Sequence, residues 1–242
     1  MKIKRFLKSL FNKLGFDVVR YVPELNKPFP LLPLIVKERL STGETIFFVQ
    51  IGANDGVLDD DLRELIHKYH LPGLMIEPQP QIFKRLCKNY ETKKNLLFEN
   101  VAISAHEGSI AIYCIAPDAP LDESYSGLAS LERKHLVDQG VPERYIEECS
   151  VPAVRLKTLL EKHAIKQVDL LAVDVEGYDY ELIKDVFNSQ IFPAIIYYEH
   201  CHLVPCIRHE CKRILWKHGY RFVEVGKDTL AIRGDSLGDG AE

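Results

Sequence analysis

Five short apolar runs, separated by segments of helical spacing, constrain this chain more than any other feature. They are "ETIFFVQIGA", "PGLMIEP", "NLLFENVAIS", "VDLLAVDVEG" and "PAIIYYEH". Each is too short for a buried helix, is rich in aliphatic or aromatic residues, and is bounded by Gly, Pro, Asn, Asp or His. Each therefore reads as a strand covered on both faces. Between and after them, helices are marked by Leu62, Leu65, Ile66 and Tyr69, by Ile82, Phe83, Leu86, Cys87 and Tyr90, and by Leu182, Ile183, Val186 and Phe187. A further helix starts at Pro205, with Ile207, Cys211, Ile214, Leu215 and His218 on one stripe. "GSIAIYCI" adds a strand, and "YRFVEV" and "TLAIR" flank the turn Gly226-Lys227-Asp228 as a closing hairpin. The alternation predicts an α/β fold: a mostly parallel, Rossmann-like sheet with an antiparallel last strand and helices on both faces.

With 242 residues there is room for one such domain, expected over residues 43–234. Residues 1–42 read as a basic arm and connector, with a short helix near 31–40, and residues 235–242 as a flexible tail. In the arm, Ile3, Phe6, Leu7, Leu10, Phe11 and Leu14 form one stripe. Lys2, Lys4, Arg5, Lys8, Lys13 and Arg20 face a single acid, Asp17. Two roles fit residues 1–14: peripheral contact with an anionic membrane surface, or docking on the domain or a partner. The chain as a whole carries a net charge of -4, so the folded body is acidic, which argues against nucleic acid as a partner. No run approaches the roughly 18 apolar residues of a spanning helix. No secretory signal is evident, and six cysteines without a CxxC pair point to free thiols in a reducing cytosol, with the inner membrane face as a possible address. "EHCHLVPCIRHEC" concentrates His and Cys, but its spacing fits no compact metal motif, and no metal ligands are assigned.

In open α/β sheets ligands bind outside the carboxyl ends of the strands, so the residues closing each strand carry the chemistry. "IGANDG" places Gly52, Ala53, Asn54, Asp55 and Gly56 after the first strand. Its small residues admit a ligand close to the backbone. It holds two glycines where the dinucleotide fingerprint has three, so a tight turn fits it equally well. Glu77, followed by the strand-stopping Pro78, lies 25 positions beyond Gly52, where an acid accepts hydrogen bonds from ribose hydroxyls. Together these point to a nucleoside-containing cofactor. Asn100, Val101 and Ala102 close the third strand. Asp174 and Glu176 in "AVDVEG" are spaced to share a face and can bind hydroxyls, an amine or, less simply, a divalent ion. His200 and His202 follow "IIYYE"; such a histidine either takes a proton from a substrate hydroxyl or serves the core.

These pieces, in this order, resemble the FkbM family of S-adenosylmethionine-dependent methyltransferases. The resemblance rests on "IGANDG", "MIEPQPQIFKRL", "NVAIS", "VRLKTLLEKHAIKQVDLLAVDVEGYDYELI" and "IIYYEH", from about Phe47 to His200. It implies the seven-stranded class I methyltransferase sheet and S-adenosylmethionine as cofactor. By position, Gly52–Gly56 would pass under the methionine part, Glu77 and Pro78 would lie at the ribose, and Asn100, Val101 and Ala102 near the adenine. Asp174 would face both the cofactor and the acceptor, with Glu176 orienting the acceptor and His200 or Asp174 as the base. Three positions depart from the family pattern: Gln50 replaces an acid, Ala172 a lysine and Asp179 a glutamate. The implied reaction is O-methylation of a sugar, polysaccharide or other small-molecule hydroxyl. Residues 116–150, in which Ser126, Gly127 and Ser130 suit a mobile segment, would cover the substrate. Two other functions remain compatible with the residues, a nicotinamide-dependent sugar oxidoreductase and a non-catalytic interaction protein.

Overall fold

The computed structural model describes residues 30–58, 60–122 and 125–234. The expected amphipathic helix over residues 1–14, the connector up to residue 29 and the tail 235–242 lie outside the described residues.

In chain order the elements begin with α1 (Leu31–Ser41), β1 (Phe48–Ile51), α2 (Arg63–Tyr69), β2 (Gly73–Ile76), α3 (Pro80–Asn89) and β3 (Leu96–Glu99). There follow β4 (Ala102–Ile103), β5 (Gly108–Ile115), β6 (Ala129–Ser130), α4 (Arg133–Asp138) and β7 (Ile146–Val154). The remainder is α5 (Leu156–Lys162), β8 (Leu170–Val173), α6 (Asp179–Asn188), β9 (Ile195–Glu199), α7 (Pro205–Lys217), β10 (Tyr220–Val225) and β11 (Asp228–Arg233). Seven strands form the main sheet in the order β10-β11-β9-β8-β1-β2-β3. β9, β8, β1, β2 and β3 pair in parallel, while β11 runs antiparallel to both of its neighbours.

The strand alternation predicted from sequence distributes side chains to two cores. From β1, Phe48 packs with Leu32 and Val36 of α1, Leu65 and Ile66 of α2, and Leu86 of α3. Val49 and Ile51, pointing the other way, join Leu159 of α5, Ile183 and Phe187 of α6, and Leu215 of α7. Helices thus cover both faces, and every residue of β1, β2 and β8 is buried. Each such aliphatic or aromatic side chain stabilises the fold by about 1.5–3 kcal/mol. Proline at the first turn of α3 and of α7 fixes φ where a missing N–H costs nothing.

Three features differ from the sequence expectation. The run "NLLFENVAIS" is not one strand: β3 ends at Glu99 and β4 starts at Ala102 in a different sheet. The break is held by Asn100, whose Nδ2 donates to the carbonyls of Glu77 and Pro78 at 2.8 and 3.0 Å. Second, β4, β7, β5 and β6 build a separate four-stranded sheet. Residues 116–150 contribute β6, α4 and the start of β7 to this layer, and Leu136, Val141 and Ile146 form a small core of their own there. Third, α1 belongs to the same core as β1 and α2, so the packed body reaches back at least to Leu31 rather than starting at 43.

Candidate functional site

The parallel strands end together, and a cavity of about 660 Å³ opens over their carboxyl ends. That volume suits a cofactor-sized ligand. Its floor is the β1–α2 turn. The amides of Gly52 and Ala53 both donate to the Ile76 carbonyl, at 3.1 and 3.0 Å. Gly52 has φ +79°, and a Cβ there would fall 1.8 Å from the Asp174 carbonyl oxygen. Only glycine lets this turn lie against the β8–α6 loop. Gly52, Ala53 and Asn54 line the cavity. Asp55 and Gly56 do not: the Asp55 carboxylate accepts from the amides of Val57 and Leu58 at 2.9 and 3.0 Å, and the Gly56 carbonyl accepts from Tyr90 Oη at 2.9 Å. Both shape the turn from behind.

Glu77 is buried, with one oxygen accepting from the Asn54 amide at 3.1 Å and the other from the Gln79 amide at 2.9 Å. Each oxygen keeps a lone pair for a ligand hydroxyl. Burial pushes its pKa up to about 7, against the pull of those amides. Pro78, Val101, Ala102 and Ile103 extend the wall beside it, a largely apolar surface for a flat ring. Asn100 lies outside the cavity, fixing the backbone of Glu77 and Pro78.

On the other side of Gly52 the wall is acidic. Gln50 Nε2 donates to Asp60 at 3.1 Å, while its Oε1 is buried without a protein partner. Asp60 also accepts from the Leu62 amide, and burial raises its pKa. Asp60 thus places a carboxylate against the Gln50 side chain. Tyr197 Oη donates to Asp61 at 2.6 Å, and burial pushes the neighbouring Asp228 up to about 6.

Asp174 and Glu176 both face the cavity, but not as alternate residues of one strand. β8 stops at Val173, and Glu176 sits at φ +52°, a left-handed conformation that turns its carboxylate back toward the site. Asp174 is exposed, and it lines the cavity. Desolvation, then the charges of Glu199 and Glu176, push its pKa up to about 8. Fully buried Asp179 supports this loop by accepting from the Gly177 amide at 3.2 Å.

His200 is not a cavity residue. It is buried, its Nδ1 lies 2.8 Å from Thr229 Oγ1, and burial lowers its pKa. As a base at the acceptor it is corrected: the imidazole that reaches the cavity is that of His202. His202 Nε2 lies 3.1 Å from Glu199 and 3.5 Å from Glu176. The hydrogen bond to Glu199 raises its pKa against the cost of burial. Burial opposes ionisation of Glu199, but His202 and Lys227 hold its carboxyl below the ordinary range.

The roof comes from the second sheet. Residues 126–131 and Gln139 line the cavity. Gln79 Nε2 donates to the Gly127 carbonyl at 2.6 Å, and Asn54 Nδ2 to the Ser126 carbonyl at 3.2 Å. His135 of α4 approaches Glu176 to 3.0 Å. His135, Gln139, Lys227 and Asp228 reach the site without belonging to any of the strand-end motifs. Only the last two had a signal: a hairpin tip beside β9 must sit at the strand-end edge. Among the described lining residues are seven carboxylates, and Lys227 is the one lysine or arginine. Such a wall attracts cations and repels phosphates.

A family profile described as the methyltransferase FkbM domain matches residues 50–222. No curated protein matches the sequence. The solved structure of methyltransferase FkbM from Methylobacillus flagellatus KT superposes with a TM-score of 0.50 at 12% identity, over 78% of this chain and 43% of that one. The N-terminal domain of human METTL16 in complex with SAH gives a TM-score of 0.47 at 12% identity, over 93% of this chain and 78% of that one. The chain thus spans less than half the length of the first, and at these identities the likeness is one of fold, the class I methyltransferase sheet. The profile match covers well over half of the sequence, and the chain belongs to the FkbM methyltransferase family, a family of S-adenosylmethionine-dependent enzymes.

Proposed function

We propose that this protein methylates a hydroxyl group of a sugar, polysaccharide or related small molecule, using S-adenosylmethionine. The observation that carries this reading is the acid-lined cavity with Glu77 on one side of Gly52 and Asp174 on the other. The residues present fit the cofactor. Glu77 offers lone pairs to a ribose diol, Val101–Ile103 offer an apolar wall to adenine, and Asp60 and Asp61 offer charge to an ammonium group. Buried Gln50 Oε1, without a protein partner, is a ready acceptor beside them. When bound, the cofactor supplies an electrophilic methyl group on sulfur, which leaves as a neutral thioether.

The chain's own residues align and deprotonate. Asp174, with its basicity raised, accepts the hydroxyl proton as the acceptor oxygen forms its bond to carbon. Glu176 and Glu199, reaching the cavity beside it, hold the acceptor's other hydroxyls. Residues 126–131 exclude water from above. The nicotinamide alternative is disfavoured by the same wall, since a pyrophosphate would meet carboxylates with Lys227 alone to balance them. The same carboxylates make nucleic acid a poor acceptor. Six free cysteines support a reducing compartment, and residues 1–14 are proposed to bring the enzyme to a membrane surface or to a partner. No helix among the described residues is long and apolar enough to cross a membrane.

Thermal shift with S-adenosylmethionine, S-adenosylhomocysteine and NAD tests the cofactor. The sulfur compounds should raise Tm and NAD should not; the reverse overturns the reading. Transfer of a labelled methyl group to sugars should give products stable to mild alkali, as ethers are and esters are not.

A further inference from the structure

At the acceptor end of the cavity Glu176 and Glu199 meet two imidazoles, those of His135 and His202, that alignment and proton transfer do not use. His135 comes from α4, Glu176 from the β8–α6 loop and His202 from the β9–α7 loop. One ligating atom from each lies within 4.8 Å of the others. His135 Nε2 is 3.0 Å from Glu176 Oε2, and His202 Nε2 is 3.5 Å from the same oxygen. Glu199 brings a second carboxylate to 3.1 Å from His202 Nε2.

Hydrogen bonding alone does not satisfy this group. Gln139 Nε2 lies 2.6 Å from Glu176 Oε2 and 2.8 Å from His135 Nε2. An imidazole nitrogen offers one N–H or one lone pair, never both. If His135 Nε2 accepts from Gln139, its lone pair meets the carboxylate oxygen at 3.0 Å. If it donates to Glu176, it meets the amide N–H of Gln139. A cation between imidazole and carboxylate removes the conflict, with Gln139 left as donor to the ligating carboxylate. The spacings also suit a common ion: two atoms each about 2.1 Å from a metal stand about 3.0–3.4 Å apart at octahedral and tetrahedral angles.

We propose that His135, His202 and Glu176 form a divalent transition-metal site, with Glu199 in reach as a fourth ligand and open positions facing the cavity. Two imidazoles with a carboxylate select zinc, cobalt, manganese or iron(II) over magnesium or calcium. The role of the ion rests on the O-methylation reading. Bound oxygens of a vicinal diol would be oriented toward the methyl group, and the attacking hydroxyl made more acidic, with its proton passing to Asp174. Binding of the ion is independent of that reading.

The full chain, stripped with a chelator, is dialysed against zinc(II), cobalt(II) or magnesium(II) and assayed by elemental analysis and visible absorption. One zinc or cobalt per chain is expected, with cobalt bands of a nitrogen and oxygen site and no stoichiometric magnesium. His135→Ala and His202→Ala should each lose stoichiometric binding while keeping the thermal shift with S-adenosylhomocysteine. If either variant fails to fold, Glu176→Gln gives the same readout. Substoichiometric zinc in the wild type, or binding that survives these substitutions, overturns the site. Metal binding without any shift by the sulfur cofactors would leave the site standing and sink the methyltransferase chemistry instead.

Discussion

Glu77 holds a largely desolvated carboxyl group in the cavity wall, and its titration is a direct reporter of the site. An ordinary glutamate titrates near 4.5, and this one is pushed to about 7. Between those values the folded chain keeps a proton that the unfolded chain releases. Stability therefore falls as pH rises through that window and levels off above it, by up to roughly 3 kcal/mol. Glu77→Gln has no such proton. Its Tm relative to wild type should rise steadily from pH 5 to pH 8, and a constant difference would show that Glu77 titrates normally. Charge-assisted bonds to hydroxyls contribute about 1.5–3 kcal/mol, so Glu77→Ala should weaken S-adenosylhomocysteine binding about tenfold or more by calorimetry. Asp174 acts on the chemistry rather than on cofactor binding. Asp174→Asn keeps the shape but removes the base, so methyl transfer should fall about 10²–10⁴-fold with little change in cofactor affinity. His200→Ala should act through stability alone, because His200 is bonded to Thr229 behind the cavity.

At the scale of elements, the strap over residues 126–131 is joined to the cofactor side of the site through Asn54 and Gln79. Gly127 makes this possible. It has φ +84°, and a Cβ there would lie 2.1 Å from Asn54 Oδ1. Gly127→Ala should displace the strap without disturbing the main sheet. A loss of a few degrees in Tm is expected, with faster dissociation of S-adenosylhomocysteine in stopped-flow. An unchanged dissociation rate would mean that the strap does not cover the cofactor. The β8–α6 loop is the complementary element, since the left-handed Glu176 brings its carboxylate to both histidines.

For the whole molecule, the two faces of the main sheet make unequal demands. α5, α6 and α7 cover one face, and α1 shares the other with α2 and α3. A chain begun at residue 43 would uncover the contacts of fully packed Leu32 and Val36, each worth about 1.5–3 kcal/mol. Its Tm should be about 10 °C lower by calorimetry; an unaltered Tm would place the domain boundary at 43 after all. The alternation of strands and helices, the antiparallel closing strand and the strand ends that border the cavity were legible in the sequence. They follow from periods of 2 and 3.6 residues and from local turn chemistry, which act over a few positions. The same local rules put Gly52, Glu77, Asp174 and Glu176 at one edge, because parallel strands must end together. What they do not encode is how distant loops settle on one another. Asn100 and Asp55 turned inward to hold backbone, His200 packed behind β11, and His135 crossed 41 positions to reach Glu176. The periodicity of the sequence determined the sheet and the edge over which the cavity opens. Only the packing of the second sheet onto that edge decided which side chains face the cavity, because that choice depends on contacts between segments far apart in the chain.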